Sequence, residues 1–155
     1  SWGGYAMMWL EGNSTRYKAL VAMMGIFDLS SMYLATEELW FTHYDNGGAP
    51  WENPVYYKAA SPSSYVENFK TPCLIITGER DYRVPYTQSL QFFTALQRMG
   101  VDSEIIVFSN DGHWPDHVKS MPVYYNAHLE WFHKYLGGKK APYDSEKMLR
   151  NLQFE

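Results

Sequence analysis

The chain has 155 residues, 46% of them hydrophobic and 19% charged, the make-up of one folded domain and not of a disordered tract. A formal net charge of −4 with no basic stripe argues against a nucleic-acid partner. No apolar run approaches the ~18 residues of a membrane span, and a lone cysteine, Cys73, excludes an internal disulfide.

The segment Trp2 to Glu11 is small and apolar and stops at Gly12-Asn13, which predicts a short helix. Gly3 and Gly4 are poor helix formers and need a separate reason to be there. Tyr17 to Met24 is an apolar run apart from Lys18 and predicts a buried strand. Asp28 to Trp40 has helical character. Residues 42–65 hold Pro50, Pro54 and Pro62 with Gly47-Gly48, and Pro72 follows just beyond, so this stretch is a loop-rich excursion with short helical pieces. Pro72 to Thr77 is the clearest strand, with Cys73 a buried member of it. Pro85 to Met99 is a helix ended by Gly100, and Glu104 to Phe108 a third strand. Val123 to Leu136 is a helix ended by Gly137-Gly138, and Ser145 to Leu152 a short last one.

This alternation predicts an α/β fold: a parallel sheet with helices on both faces. Residues 1–138 form its body and 139–155 a C-terminal tail. The first residues look like the middle of a motif, so the natural N-terminus is expected to lie upstream, and localisation stays unknown. The 13 tyrosines and 6 tryptophans fit core and ordinary surface in the main, and a pocket or a domain interface also uses such side chains.

In such sheets, chemistry gathers at the carboxyl ends of the strands. Asp81 follows the second strand in Gly78-Glu79-Arg80-Asp81, and His113 follows the third in Asp111-Gly112-His113. Ser1 opens the first helix. A serine hydroxyl is a weak nucleophile and needs a base within hydrogen-bond reach. Histidine supplies that base, and a carboxylate on its other nitrogen fixes the tautomer and stabilises the imidazolium. The chain order Ser, Asp, His is that of α/β hydrolases. Ser1-Trp2-Gly3-Gly4-Tyr5 matches the back half of their nucleophile elbow, where Gly3 would permit close backbone approach.

Three pieces in order make the likeness specific. Ser1-Trp2-Gly3-Gly4-Tyr5, then Thr77-Gly78-Glu79-Arg80-Asp81-Tyr82-Arg83-Val84-Pro85, then Asp111-Gly112-His113 resemble the catalytic core of the prolyl oligopeptidase family. Asp81 lies 80 residues after Ser1 and His113 lies 32 after Asp81, similar to that family's spacing, and Ala60-Ser61-Pro62 before the second strand also matches. The resemblance implies the C-terminal part of an α/β-hydrolase fold and a serine peptidase that acts on short peptides without a cofactor or metal. It implies Ser1 as nucleophile, His113 as base and then acid, Asp81 as its orienting carboxylate, and the Trp2 backbone N–H as an oxyanion donor. It further implies Arg83 as a substrate-carbonyl contact, with Phe27, Tyr33 and Val84 among the substrate-binding residues. A Gly-x pair before the serine, an upstream oxyanion tyrosine, earlier strands and a β-propeller are family features this sequence does not contain. The chain alone is therefore expected to be a poor catalyst, and its first strand to expose an edge open to self-association.

Other readings remain. A carboxylesterase uses the same three residues. An N-terminal-nucleophile hydrolase would use the Ser1 amine as base. A non-catalytic interaction module can share the fold. A metal site at His113 and His117 is disfavoured because Pro115 lies between them. His43, His117, His128 and His133 fit surface or helix-face positions, and Asp111 fits a role in shaping the turn.

Overall fold

Side chains on a strand point alternately to opposite faces, and this alternation sets the layers of the molecule. The structure is a computed structural model describing residues 1–150. Its elements run α1 (Trp2–Asn13), β1 (Leu20–Met23), α2 (Leu29–Tyr33), α3 (Leu39–Asp45), α4 (Pro54–Ala60), a 3₁₀ stretch (Pro62–Asn68), β2 (Cys73–Gly78), α5 (Thr87–Arg98), β3 (Ser103–Phe108), α6 (Ser120–Leu136) and α7 (Ser145–Leu149). The strands form one parallel sheet in the order β1-β2-β3. Leu20 lies opposite Cys73, and Cys73 opposite Ser103, so the three parallel strands start level and point their carboxyl ends toward the same edge of the sheet.

On one face, Leu20, Ala22, Cys73 and Ile75 pack against Met8 of α1 and against Phe92 and Leu96 of α5. On the other, Leu74, Ile76, Ile106 and Phe108 pack against Val123, Ala127 and Trp131 of α6. Each fully buried apolar side chain contributes about 1.5–3 kcal/mol. Central β2 is buried at every residue, as a strand covered on both faces must be. Cys73 lies within it, and burial pushes its thiol well above the usual range, so it is a packing residue. Among the described residues β1 pairs on one side only and forms an edge of the sheet.

The predicted helix Asp28 to Trp40 is two helices. The Asp28 carboxylate caps α2 by accepting the Ser31 N–H at 2.8 Å. The chain then leaves the helix because tertiary bonds outcompete it. The Thr36 hydroxyl donates to the Arg83 carbonyl at 2.6 Å, and the Glu37 N–H to the Tyr82 carbonyl at 2.8 Å. The first strand is also shorter than predicted: it begins only at Leu20, and Met24, with a positive φ of 46°, ends it.

Glu11 belongs to the apolar first segment, yet its buried carboxylate accepts the N–H groups of Lys70 and Thr71 at 2.8 and 2.7 Å. Burial raises its pKa, against the lowering effect of those two bonds. The last helix docks on α6. Asn126 Nδ2 donates to Ser145 Oγ at 2.8 Å, and Met148 joins the core. Leu152, the expected end of that helix, lies outside the described residues. No described helix is long and apolar enough to cross a membrane.

Candidate active site

At the carboxyl end of β2 the chain turns through Glu79 and Arg80 to Asp81, whose N–H donates to the Gly78 carbonyl at 3.2 Å. Asp81 is buried. Its Oδ1 accepts the N–H groups of Arg83 and Val84 at 3.0 and 2.9 Å, which locks the carboxylate. Its Oδ2 then faces Nδ1 of His113 at 2.7 Å. An ionised carboxylate only accepts, so Nδ1 carries the proton of the neutral ring and Nε2 is left as an acceptor. That Nε2 lies 3.2 Å from the Ser1 hydroxyl. The three sequence-selected residues thus form one continuous chain of contacts.

The loop after β3 carries His113 and is held by Asp111. The buried Asp111 carboxylate accepts the His117 N–H at 3.0 Å and the hydroxyl of Ser120, the first residue of α6. Its carbonyl accepts the Arg80 N–H at 3.0 Å, tying this loop to the one that carries Asp81. Gly78 is the floor of that junction: a Cβ there would meet the Gly112 and Asp111 carbonyl oxygens at 2.2 and 2.4 Å. Gly78→Ala is therefore expected to lower stability by about 1–3 kcal/mol through overpacking against main chain, as thermal unfolding would read. An unchanged midpoint would contradict this contact.

Ser1 occupies the N-cap of α1, but its side chain makes no capping bond, which leaves the hydroxyl to His113. The Trp2 N–H sits in the first turn, where a helix supplies no acceptor. Gly3 does not serve the close approach expected of it, since a Cβ there meets nothing within 4 Å. Gly4 does: a Cβ would lie 2.0 Å from the Met23 carbonyl oxygen and 2.8 Å from Gly25 Cα. The helix rests on the end of β1 at that point, one turn after Ser1.

A cavity of about 200 Å³ opens beside Ser1, walled by Trp2, Tyr5, Ile26, Leu29, Phe41 and Tyr56, with Thr42, Asp45 and Asn46 completing it. Phe27, Tyr33 and Val84, the residues expected to bind substrate, do not line it. Phe27 packs into the α5-side core, its ring 5.7 Å from that of Phe92 and 6.4 Å from that of Phe69, because Ile26 takes the cavity-facing position. Tyr33 is buried against Tyr57 and Trp51, and its hydroxyl bonds His43 Nδ1 at 3.0 Å. Val84 is buried and contributes its N–H to Asp81. Arg83 pairs with Glu38, Nη2 to Oε1 at 3.0 Å, with both side chains about one-third exposed. The cavity walls were missed residue by residue. Their signal in the sequence was the high aromatic content, of which Trp2, Tyr5, Phe41 and Tyr56 line the cavity.

Of the remaining histidines, His117 is exposed and His128 Nδ1 bonds the Tyr124 carbonyl at 2.7 Å. Among the described residues no group of three or more His, Cys, Asp or Glu is placed to hold a metal.

Comparison with known proteins identifies the family and the fold. The sequence model of the prolyl oligopeptidase family matches residues 1–139. The chain is 37% identical to dipeptidyl-peptidase 5 of Porphyromonas endodontalis over 141 residues, covering 88% of this chain and 20% of that protein. It is 38% identical to dipeptidyl-peptidase 5 of Schizosaccharomyces pombe over 116 residues, covering 74% and 17%. It thus spans about a fifth of the length of these curated relatives. Among solved structures, an acylaminoacyl peptidase in complex with Z-Gly-Gly-Phe-chloromethyl ketone superposes with a TM-score of 0.82 at 30% identity, over 96% of this chain and 25% of that one. The Pyrococcus horikoshii acylaminoacyl peptidase in its orthorhombic crystal form gives 0.82 at 29% identity, again over 96% and 25%. The three-stranded parallel sheet and its two helical layers are part of an α/β-hydrolase fold, and the chain belongs to the prolyl oligopeptidase family of serine peptidases.

Proposed function

We propose that this chain carries the reacting groups of a peptidase that cleaves short peptides through an acyl-enzyme, with Ser1, His113 and Asp81 as its triad. The observation that carries the reading is the unbroken sequence of contacts from Ser1 Oγ to His113 Nε2 and from His113 Nδ1 to Asp81 Oδ2.

Ser1 Oγ attacks the scissile carbonyl carbon while His113 Nε2 takes the hydroxyl proton. Asp81, held by the two backbone N–H groups on its other oxygen, stabilises the imidazolium that results. Charge develops on the former carbonyl oxygen, where the Trp2 N–H at the start of α1 can donate. The C–N bond then breaks, His113 returns its proton to the departing amine, and the acyl group stays on Ser1 as an ester. Water then attacks the ester carbon with His113 again as base, the bond to Ser1 Oγ breaks, His113 returns the proton to Oγ, and the acid leaves. Arg83, restrained by Glu38, supplies a donor for a substrate backbone carbonyl.

The cavity beside Ser1 receives the side chain of the acyl residue, P1. Its walls are chiefly aromatic and aliphatic, which suits an apolar stem. The acylaminoacyl peptidase of matching fold is complexed with an inhibitor ending in Phe, which fits such a pocket. The test is covalent labelling of the intact protein with a fluorophosphonate, followed by mapping of the modified residue. Label on Ser1, together with cleavage of a peptide amide, supports the proposal. Label elsewhere, or hydrolysis confined to simple nitrophenyl esters, would overturn it in favour of a carboxylesterase.

A further inference from the structure

Within this reading of the site, we propose that Asp45 makes the cavity beside Ser1 selective for a P1 residue that bears an ammonium group. Asp45 is the only charged side chain lining the cavity, and no cation pairs with it among the described residues. The neighbouring polar groups are already engaged. The Thr42 hydroxyl donates to the Leu39 carbonyl at 2.9 Å, and Asn46 Nδ2 donates to the Tyr57 hydroxyl at 3.4 Å. His43, the base of the last turn of α3, is taken up by Tyr33.

The rest of the lining has the complementary chemistry. Ile26 and Leu29 offer apolar surface to a methylene stem, and Tyr5, Phe41 and Tyr56 offer aromatic rings. An ammonium group is attracted to the faces of such rings as well as to a carboxylate. Size fits one side chain: about 150 Å³ suffices for benzene, and the cavity holds about 200 Å³. The ammonium can come from a lysine side chain at P1 or from a free α-amine on that residue. Both present the same group to Asp45.

The experiment compares the intact protein with Asp45→Asn on three anilides: acyl-lysine, acyl-norleucine and free-amine norleucine. Ratios of kcat/KM are read, so that any general effect of the substitution cancels. The acyl-lysine to acyl-norleucine ratio is expected to fall about fivefold to tenfold in the variant, as for a partly screened ion pair with aromatic support. A fall instead in the free-amine to acyl-norleucine ratio assigns the ammonium to the α-amine. If neither ratio moves while norleucine is cleaved, the Asp45 proposal is overturned and the peptidase reading stands. If the unsubstituted protein cleaves none of the three, both fall together.

Discussion

Replacing Ser1 with Ala is expected to lower turnover of a peptide amide by about 10⁶-fold in the intact protein, and His113→Ala by a similar factor. The two side chains meet at 3.2 Å and act as one unit: the hydroxyl is unreactive without a base, and the base has nothing to activate without the hydroxyl. The double substitution should therefore cost little more than either single one. Ser1 makes no capping bond, so thermal unfolding of Ser1→Ala should stay near that of the parent, whereas His113→Ala leaves the buried Asp81 Oδ2 without its partner and should lower the midpoint. Single-turnover rates with each variant, beside the unfolding midpoint, make the check. Turnover within tenfold of the parent for Ser1→Ala would remove the nucleophile from the scheme.

Asp81→Asn is expected to cost about 10⁴-fold. The geometry supplies the reason. Asparagine can keep its oxygen on the Arg83 and Val84 N–H groups, where Oδ1 of the carboxylate sits at 3.0 and 2.9 Å. Its amide group would then face His113 as a donor. The ring would answer by carrying its proton on Nε2, and that nitrogen would donate to Ser1 where it should accept. The loss should appear in kcat, with KM much less affected, because the carboxylate touches the imidazole and not the cavity. Full turnover in Asp81→Asn would show that another group orients the histidine.

How much of this was visible beforehand varied with the range of the interactions. The alternation of apolar runs with Gly and Pro boundaries was sufficient to place all three strands and the helices α1, α5 and α6, because each signal is local. The residues of the proposed triad stand out in the sequence because they sit in short motifs, Asp81 and His113 after strands and Ser1 at the start of a helix. The break between α2 and α3 was not, since it depends on Thr36 and Glu37 bonding to residues 82 and 83 far along the chain. None of Phe27, Tyr33 and Val84 lines the cavity, and Phe27 differs from the lining residue Ile26 by one position. Strand alternation would have to be continued past Met24 to choose between them, and its positive φ breaks the count at that point. Gly3 and Gly4 were equally hard to separate: both sit in the motif, and only the proximity of Met23 and Gly25 shows which one is constrained. Glu11 looked like the end of an apolar segment because its partners, Lys70 and Thr71, lie some sixty residues away.

The meeting of Gly4 with Met23 and Gly25 is main chain against main chain, with no side chain to compress or rotate. It acts as a hard stop between the helix that presents the proposed nucleophile and the turn that leads into the cavity wall. Variation at Ile26, Leu29 or Phe41 can therefore retune which substrates fit while the reach from Ser1 to His113 stays put. Under the proposed function, reactivity and selectivity are mechanically uncoupled at this joint, which would leave the protein free to change its diet without rebuilding its chemistry.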